Sequence, residues 1–296
     1  MNKKFLLLIS MIFSLTTSTS FAWWDVGHMV IAQIAYEELT PEAREKVDEY
    51  IDVVSGDFPG YSDFISASVW ADDISESGIK SFFFWHGASR PYDPLGVLSV
   101  EEYESKTYEL VGKDAVWAIG QCGRTLKNSE ASDWAKGFML RMLVHVVGDL
   151  HQPLHCVTYY GPEFPQGDCA GTLYLLNHTR YATIHRLFDA AFGLMDRLGR
   201  RIHHPPYPEE REHIYALAAY VQKMYPREIL DNVDVEDPDQ WRQESYNLGV
   251  TFAYERLPFN SIPDEEMMLE GQKVTAQRIA LAGYRLADLL NILLDD

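Results

Sequence analysis

The chain predicts a mainly α protein folded as a single multi-helix domain. Apolar residues recur at helical spacing over most of its length, and strand signals are few. Gly, Pro, Asp and Tyr gather in four tracts, 52–64, 87–98, 157–179 and 199–211, which read as the loops between helices.

The first 22 residues stand apart. MNKKFLLLISMIFSLTTSTSFA has a basic start at Lys3 and Lys4, an apolar run from Phe5 to Leu15, and small residues around Ser20 and Ala22. This is the layout of a cleaved export signal, and the run is too short to span a bilayer comfortably. Cleavage after Ala22 is expected to leave residues 23–296 as the mature domain, periplasmic or secreted, with Trp23 as its first residue. Asn177-His178-Thr179 is a glycosylation sequon, but the Lys-Lys leader has a bacterial look, where that signal carries no meaning.

Each helix then has its own warrant. Val26 to Leu39 carries Val30, Ile31, Ile34 and Ala35 as a stripe. Thr40-Pro41 reads as an N-cap followed by proline at the first helical position, opening a helix toward Ile51. Ser99 to Leu126 reads as a long helical stretch whose Ser99 and Glu102 have capping-box spacing. Ser132 to Leu150 is a second long stretch. Thr183–Leu198, Ile214–Met224, Gln240–Tyr254 and Gln272–Leu294 complete the set. No linker, repeat or low-complexity tract argues for a second domain.

The formal net charge is −19, and loss of Lys3 and Lys4 would take it to −21. Such a surface repels a polyanion unless bound divalent cations reverse the sign locally. Cys122, Cys156 and Cys169 form an odd set. An exported compartment permits one disulfide, and Cys156–Cys169 is the expected pair because it closes a short loop. There is no CxxC, so thiolate ligation of zinc is not expected.

The histidines carry the chemical signal. In HVVGDLHQPLH, residues 145–155, His145 and Asp149 are four apart and share one helix face. Pro153 breaks the helix, which lets His155 return toward the same place. His185 and Asp189 in TIHRLFD repeat the spacing. Asp72 in SVWADD and His86 in FFFWHG each follow a tryptophan closely, and His28 lies five residues beyond Trp23. Any one of these pieces is ordinary in a helical core. Together they offer imidazole and carboxylate without thiolate, a donor set that suits catalytic zinc with open coordination positions.

These motifs resemble, in order, those of the S1/P1 nuclease family, trinuclear-zinc phosphodiesterases of mostly helical fold. HVVGDLHQPLH is similar to its HxxGDxHQPLH motif, WWDVGH to WGxxGH, VWADD to WAD, FWH to WH, GDCAG to GDxGG, and TIHRLFD to NLHxxWD; WRQES at 241–245 also matches. The resemblance implies three Zn2+ ions. Asp72, His86, His145 and Asp149 would hold one. His155, His185 and Asp189 would hold another. His28, Asp149 and the amine and carbonyl of Trp23 would hold the third. It further implies that Asp72 orients the nucleophile as a catalytic residue, that a zinc-activated hydroxide attacks single-stranded DNA or RNA, or a 3′-nucleotide, and that a 5′-phosphate is left.

The chain departs from the family pattern where a base would be held. Gly87 and Ser89 stand where an aromatic and an aspartate are expected, Ser75 where a basic residue follows WAD, and Thr172 where asparagine follows GDxGG; Trp24 and Phe188 are further changes. Tyr92, Tyr159, Tyr160 and Tyr174 are nearby candidates to stack a base, with packing as the plainer role for each. Two other functions compete: a zinc phospholipase C, which shares the three-zinc design, and an exported zinc-binding protein without activity. The Trp23-to-His28 spacing and an aspartate rather than a glutamate as the last ligand favour the nuclease. No membrane anchor and no obligate protein partner are expected.

Overall fold

A computed structural model describes residues 23–199 and 201–295. The expected export signal, residues 1–22, lies outside them. Eleven α-helices are present among the described residues: α1 Asp25–Glu38, α2 Pro41–Ser55, α3 Phe64–Ala67, α4 Trp70–Glu76, α5 Val100–Tyr108, α6 Ala115–Lys127, α7 Asp133–Leu150, α8 Ile184–Asp189, α9 Pro208–Met224, α10 Pro238–Leu248 and α11 Glu265–Leu294. Two three-residue strands, β1 Arg90–Tyr92 and β2 Val157–Tyr159, pair in parallel, with Pro91 opposite Thr158.

Two helices make the centre. Every residue of α1 from Asp25 to Ala35 is buried, and so is every residue of α7 from Leu140 to Leu150. A helix buried on all sides must be covered on all sides. α1 packs on α11 and α9, while α7 packs on α2 and α6. Close approach is bought with glycine at one decisive point. A Cβ on Gly137 of α7 would sit 2.2 Å from the Tyr50 carbonyl oxygen of α2, so only glycine lets these helices meet.

Local chemistry sets the helix starts. The Thr40 hydroxyl accepts from Ala43 N at 3.1 Å with Pro41 in the first turn, and Ser99 with Glu102 forms the expected capping box. The Ser99–Leu126 stretch is not one helix. It divides into α5 and α6, because Gly112 takes a left-handed φ of 80° and Asp114 then caps Trp117 N at 3.1 Å to start again. The expected Thr183–Leu198 helix stops at Asp189, where Ala191 and Phe192 turn left-handed and the Phe192 ring is buried against Gly271 of α11. The Gln240–Tyr254 stretch is α10 followed by a π-helical turn, Gly249–Tyr254. Helix α4 and the 3-10 segment Lys80–His86 were not expected from periodicity; both are too short to show it.

The predicted disulfide does not form. Cys122, Cys156 and Cys169 are all free thiols. Cys156 is buried, with its Sγ 3.5 Å from the Leu150 carbonyl, whereas Cys169 is exposed on a left-handed turn. Short sequence separation alone does not put one thiol from the core and one from the surface at bonding geometry.

Candidate metal centre

Six elements deliver the predicted ligands to one region. His28 comes from α1, Asp72 from α4, His86 from the end of the 3-10 segment, His145 and Asp149 from α7, His155 from the turn after Pro153, and His185 and Asp189 from α8. They converge as three groups: His28, His145 and Asp149; Asp72, His86 and His145; His155, His185 and Asp189. All eight are buried or nearly so.

The tightest set is Asp72, His86, His145 and Asp149. His86 Nδ1 lies 3.0 Å from His145 Nε2, 3.3 Å from Asp72 Oδ1 and 3.1 Å from Asp149 Oδ2. His145 Nε2 lies 3.3 Å from both carboxylate oxygens. These are five of the six edges of a tetrahedron. Their average of about 3.2 Å is the edge that a tetrahedral site with zinc bonds of roughly 2.0 Å to nitrogen or oxygen has. The His28 Nε2–Asp149 Oδ1 edge is 3.4 Å and the His185 Nε2–Asp189 Oδ1 edge 3.3 Å, the same size again.

Hydrogen bonding supports the fit. Both oxygens of Asp149, Oδ1 of Asp72, both ring nitrogens of His28, and Nε2 of His155 are buried without a hydrogen-bond partner. Orphaned buried polar atoms cost about 1–3 kcal/mol each, so a fold does not accumulate them without a cation to satisfy them. The opposite ring edges are fixed by carbonyls. His145 Nδ1 faces Ser68 O at 2.7 Å, His185 Nδ1 faces Ala170 O at 2.5 Å, and His155 Nδ1 faces His86 O. Each Nδ1–H donates, which leaves Nε2 of the neutral ring with its lone pair toward the cluster.

Electrostatics inside the cluster are extreme. Burial and the neighbouring His145 push His28 down to about 3. Burial alone would raise Asp149, but His145 and His86 hold its carboxyl far below the usual range, and Asp72 is lowered in the same way. Burial opposes charge on His145, yet Asp149 and Asp72 overcome it and raise its pKa well above 6.5. Without a cation this pocket needs a charged histidine; with one, neutral imidazoles and ionised carboxylates suffice.

Several positioning residues went unassigned in the sequence. Gln152, inside HQPLH, donates Nε2 to Asp189 Oδ1 at 2.8 Å and accepts from Leu154 N at 2.6 Å, so it ties the turn to α8. Gly148 leaves room for His28, whose Nδ1 would lie 2.9 Å from a Cβ there. The GDCAG turn holds Cys169 and Ala170 left-handed and so aims the Ala170 carbonyl at His185. Asp168 of that turn accepts from Tyr254 at 2.6 Å, and burial pushes its carboxyl up to about 6. Their motif positions were visible; their roles required the fold.

Trp23 is fully buried, and its indole Nε1 donates to the Gly148 carbonyl at 3.0 Å, beside Asp149. Trp24 N donates to Asp189 O at 3.1 Å, which ties the start of the domain to α8. Of the four tyrosines considered for stacking, Tyr160 and Tyr174 are buried, while Tyr92 and Tyr159 pack against Tyr254, so packing is the role the fold gives them. Ser89 is hydrogen-bonded to Thr158 at 2.7 Å. A cavity of about 700 Å³ lined by Arg90, Tyr103, Trp117 and Tyr246 includes none of the nine predicted ligands.

The fold and the cluster thus define a helical protein built around a buried His/Asp site able to hold metal ions. The chain matches the family described as S1/P1 Nuclease over residues 23–295 and belongs to it. It is 23% identical to Endonuclease 2 of Arabidopsis thaliana over 292 residues, which covers 91% of this chain and 89% of that protein. It is 24% identical to Endonuclease 4 of the same plant over 296 residues, covering 92% and 89%. Membership makes it a nuclease-type hydrolase with nucleic acid as the substrate class. No helix among the described residues is long and apolar enough to cross a membrane.

Proposed function

We propose that this protein is an exported zinc-dependent phosphodiesterase that hydrolyses single-stranded DNA or RNA, and 3′-nucleotides, to 5′-phosphate products. The observation that supports it most is the set Asp72, His86, His145 and Asp149, in which five separations run from 3.0 to 3.3 Å and the inward carboxylate oxygens, Asp72 Oδ1 and Asp149 Oδ2, are buried without a hydrogen-bond partner. In this reading those four hold one zinc ion, His155, His185 and Asp189 a second, and His28 with Asp149 a third, completed by the amine and carbonyl of Trp23 once Ala22 is removed. Bound there, zinc lowers the pKa of water to near neutrality and neutralises phosphate oxygens.

The chain's own residues do the rest. Asp149 offers one oxygen to each of two sites, which fixes their separation. Asp72, buried and held ionised, is the carboxylate placed to accept a hydrogen bond from the attacking water and orient it. His155, His185 and Asp189 form the group nearest the leaving side, with Gln152 keeping Asp189 in place. Burial of the walls keeps bulk water from screening these interactions.

Metal analysis of protein starting at Trp23 is expected to give about three zinc ions per chain. Assays with single-stranded DNA, RNA, 3′-AMP and phosphatidylcholine then decide the substrate. Turnover of the lipid alone would replace the nuclease with a phospholipase C, and three ions with no turnover at all would leave a zinc-binding protein.

A further inference from the structure

His86 ends the 3-10 segment Lys80–His86. In such a helix residues three apart eclipse, about 2.0 Å of rise per residue, so it presents rows of side chains. Phe82 and Trp85 form the inner row: their rings are 4.9 Å apart, and they pack on Phe138 and Trp117 respectively. Lys80, Phe83 and His86 form another row, at steps of roughly 6 Å. Phe83 is 47% exposed and Phe84 50%, which is unusual for two adjacent large aromatics. Phe84 stands edge-on to Phe83 at 5.7 Å, with the Lys113 ammonium 5.3 Å from its ring.

This row sits at the mouth of the metal centre. The His86 side chain is 11% exposed, against 0–5% for His28, Asp72, His145, Asp149, His185 and Asp189. The family's aromatic position is closed here, since a Cβ on Gly87 would lie 2.8 Å from the His155 carbonyl oxygen. A stacking surface must therefore stand elsewhere. Phe83 and Phe84 supply one a single helical turn from a ligand, and Lys80 and Lys113 bring positive charge to the edge of a strongly acidic protein.

Building on the nuclease reading, we propose that Lys80, Phe83 and Phe84, with Lys113, form a binding track for single-stranded nucleic acid. Phe83 stacks a base flanking the scissile phosphate, with Phe84 edge-on against it, and Lys80 and Lys113 meet the neighbouring phosphates. Aromatic stacking tolerates any base, so the track selects for unpaired strands rather than for sequence.

The test uses protein loaded with metal and a cleavage-resistant phosphorothioate single strand, with binding read by fluorescence anisotropy against an abasic strand of equal length. Phe83→Ala combined with Phe84→Ala is expected to weaken binding of the normal strand roughly five- to a hundredfold and to close the gap to the abasic strand. Phe83→Tyr restores it, and metal content stays at the wild-type value. Lys80→Gln lowers the slope of log affinity against log salt by about 0.7. Equal weakening of both strands, or no weakening, overturns the proposal. So does loss of binding to phosphatidylcholine vesicles in the alanine variants while strand affinity is unchanged, which would assign the exposed rings to a lipid surface. A wild type that binds the normal strand in preference to the abasic one but cleaves no unmodified single strand would defeat the nuclease reading and leave the track standing.

Discussion

Asp149 is the residue on which the most can be tested. It is fully buried, its Oδ2 is 3.1 Å from His86 and 3.3 Å from His145, and its Oδ1 is 3.4 Å from His28. Asp149→Asn keeps the shape but removes a charge that two of the three proposed zinc sites share. Two ions should be lost together, so metal analysis should fall from about three per chain to about one. If free zinc exceeds the dissociation constant by a hundredfold, each bound ion adds about 2.7 kcal/mol to stability. Losing two then removes about 5 kcal/mol, and at roughly 2–4 °C per kcal/mol the melting temperature drops by about 10 °C or more. Asp189→Asn is the control, because Asp189 belongs to the group with His155 and His185 alone and should cost one ion. The assay is elemental analysis with a thermal melt, each with and without chelator. A variant that keeps three ions, or that loses only one, would refute the bridging role.

Four more outcomes are expected. Gly137→Ala drives a methyl against the Tyr50 carbonyl, which belongs to backbone and cannot step aside, so chemical denaturation should show a loss of about 3 kcal/mol. Glu244 pairs with the buried Arg278 at 2.9 Å and Arg285 at 2.7 Å, and Glu244→Ala should cost about 3 kcal/mol by stranding both cations, whereas Glu244→Gln costs less; equal costs would deny the charge its role. His204 is held between Asp25 at 3.1 Å and Asp73 at 3.0 Å; burial opposes its charge, but these hydrogen bonds raise its pKa to about 9. Because the folded pKa is raised, its stabilisation is complete below about 6.5 and fades as pH climbs through 9, by about 2 kcal/mol after allowing for its partial exposure. Denaturation curves from pH 6 to 10 should show this fall in the wild type and not in His204→Asn. Finally, extra residues left ahead of Trp23 should cost one zinc ion and most activity, and an intact tag that changes neither would remove the amine from the ligand set.

Much of this was legible in the chain. His145 with Asp149, and His185 with Asp189, are fixed by helical spacing alone, since four residues bring two side chains to one face. Thr40 and Ser99 announce helix starts because their hydroxyls satisfy amides within three residues, a purely local matter. The mainly helical class followed from periodicity for the same reason. The sequence misjudged whatever depended on distant partners. Phe192 ends α8 early because a glycine on α11 receives its ring, some eighty residues further on. Cys156 and Cys169 look like a pair in one dimension, but in three one is buried and the other exposed, and both are free.

What only the tertiary structure decided is the arrangement of the centre itself. Asp72, His86 and His145 come from three elements, and no local rule sets their separations of 3.0 to 3.3 Å. Nor could the chain reveal that carbonyls of Ser68, His86 and Ala170 choose the tautomer of three histidines, since every residue has a carbonyl and only packing aims it. Residue type and short spacing determine which groups can bind a cation. Burial between α1, α4 and α7 determines that these groups face one another rather than water, which would otherwise satisfy them.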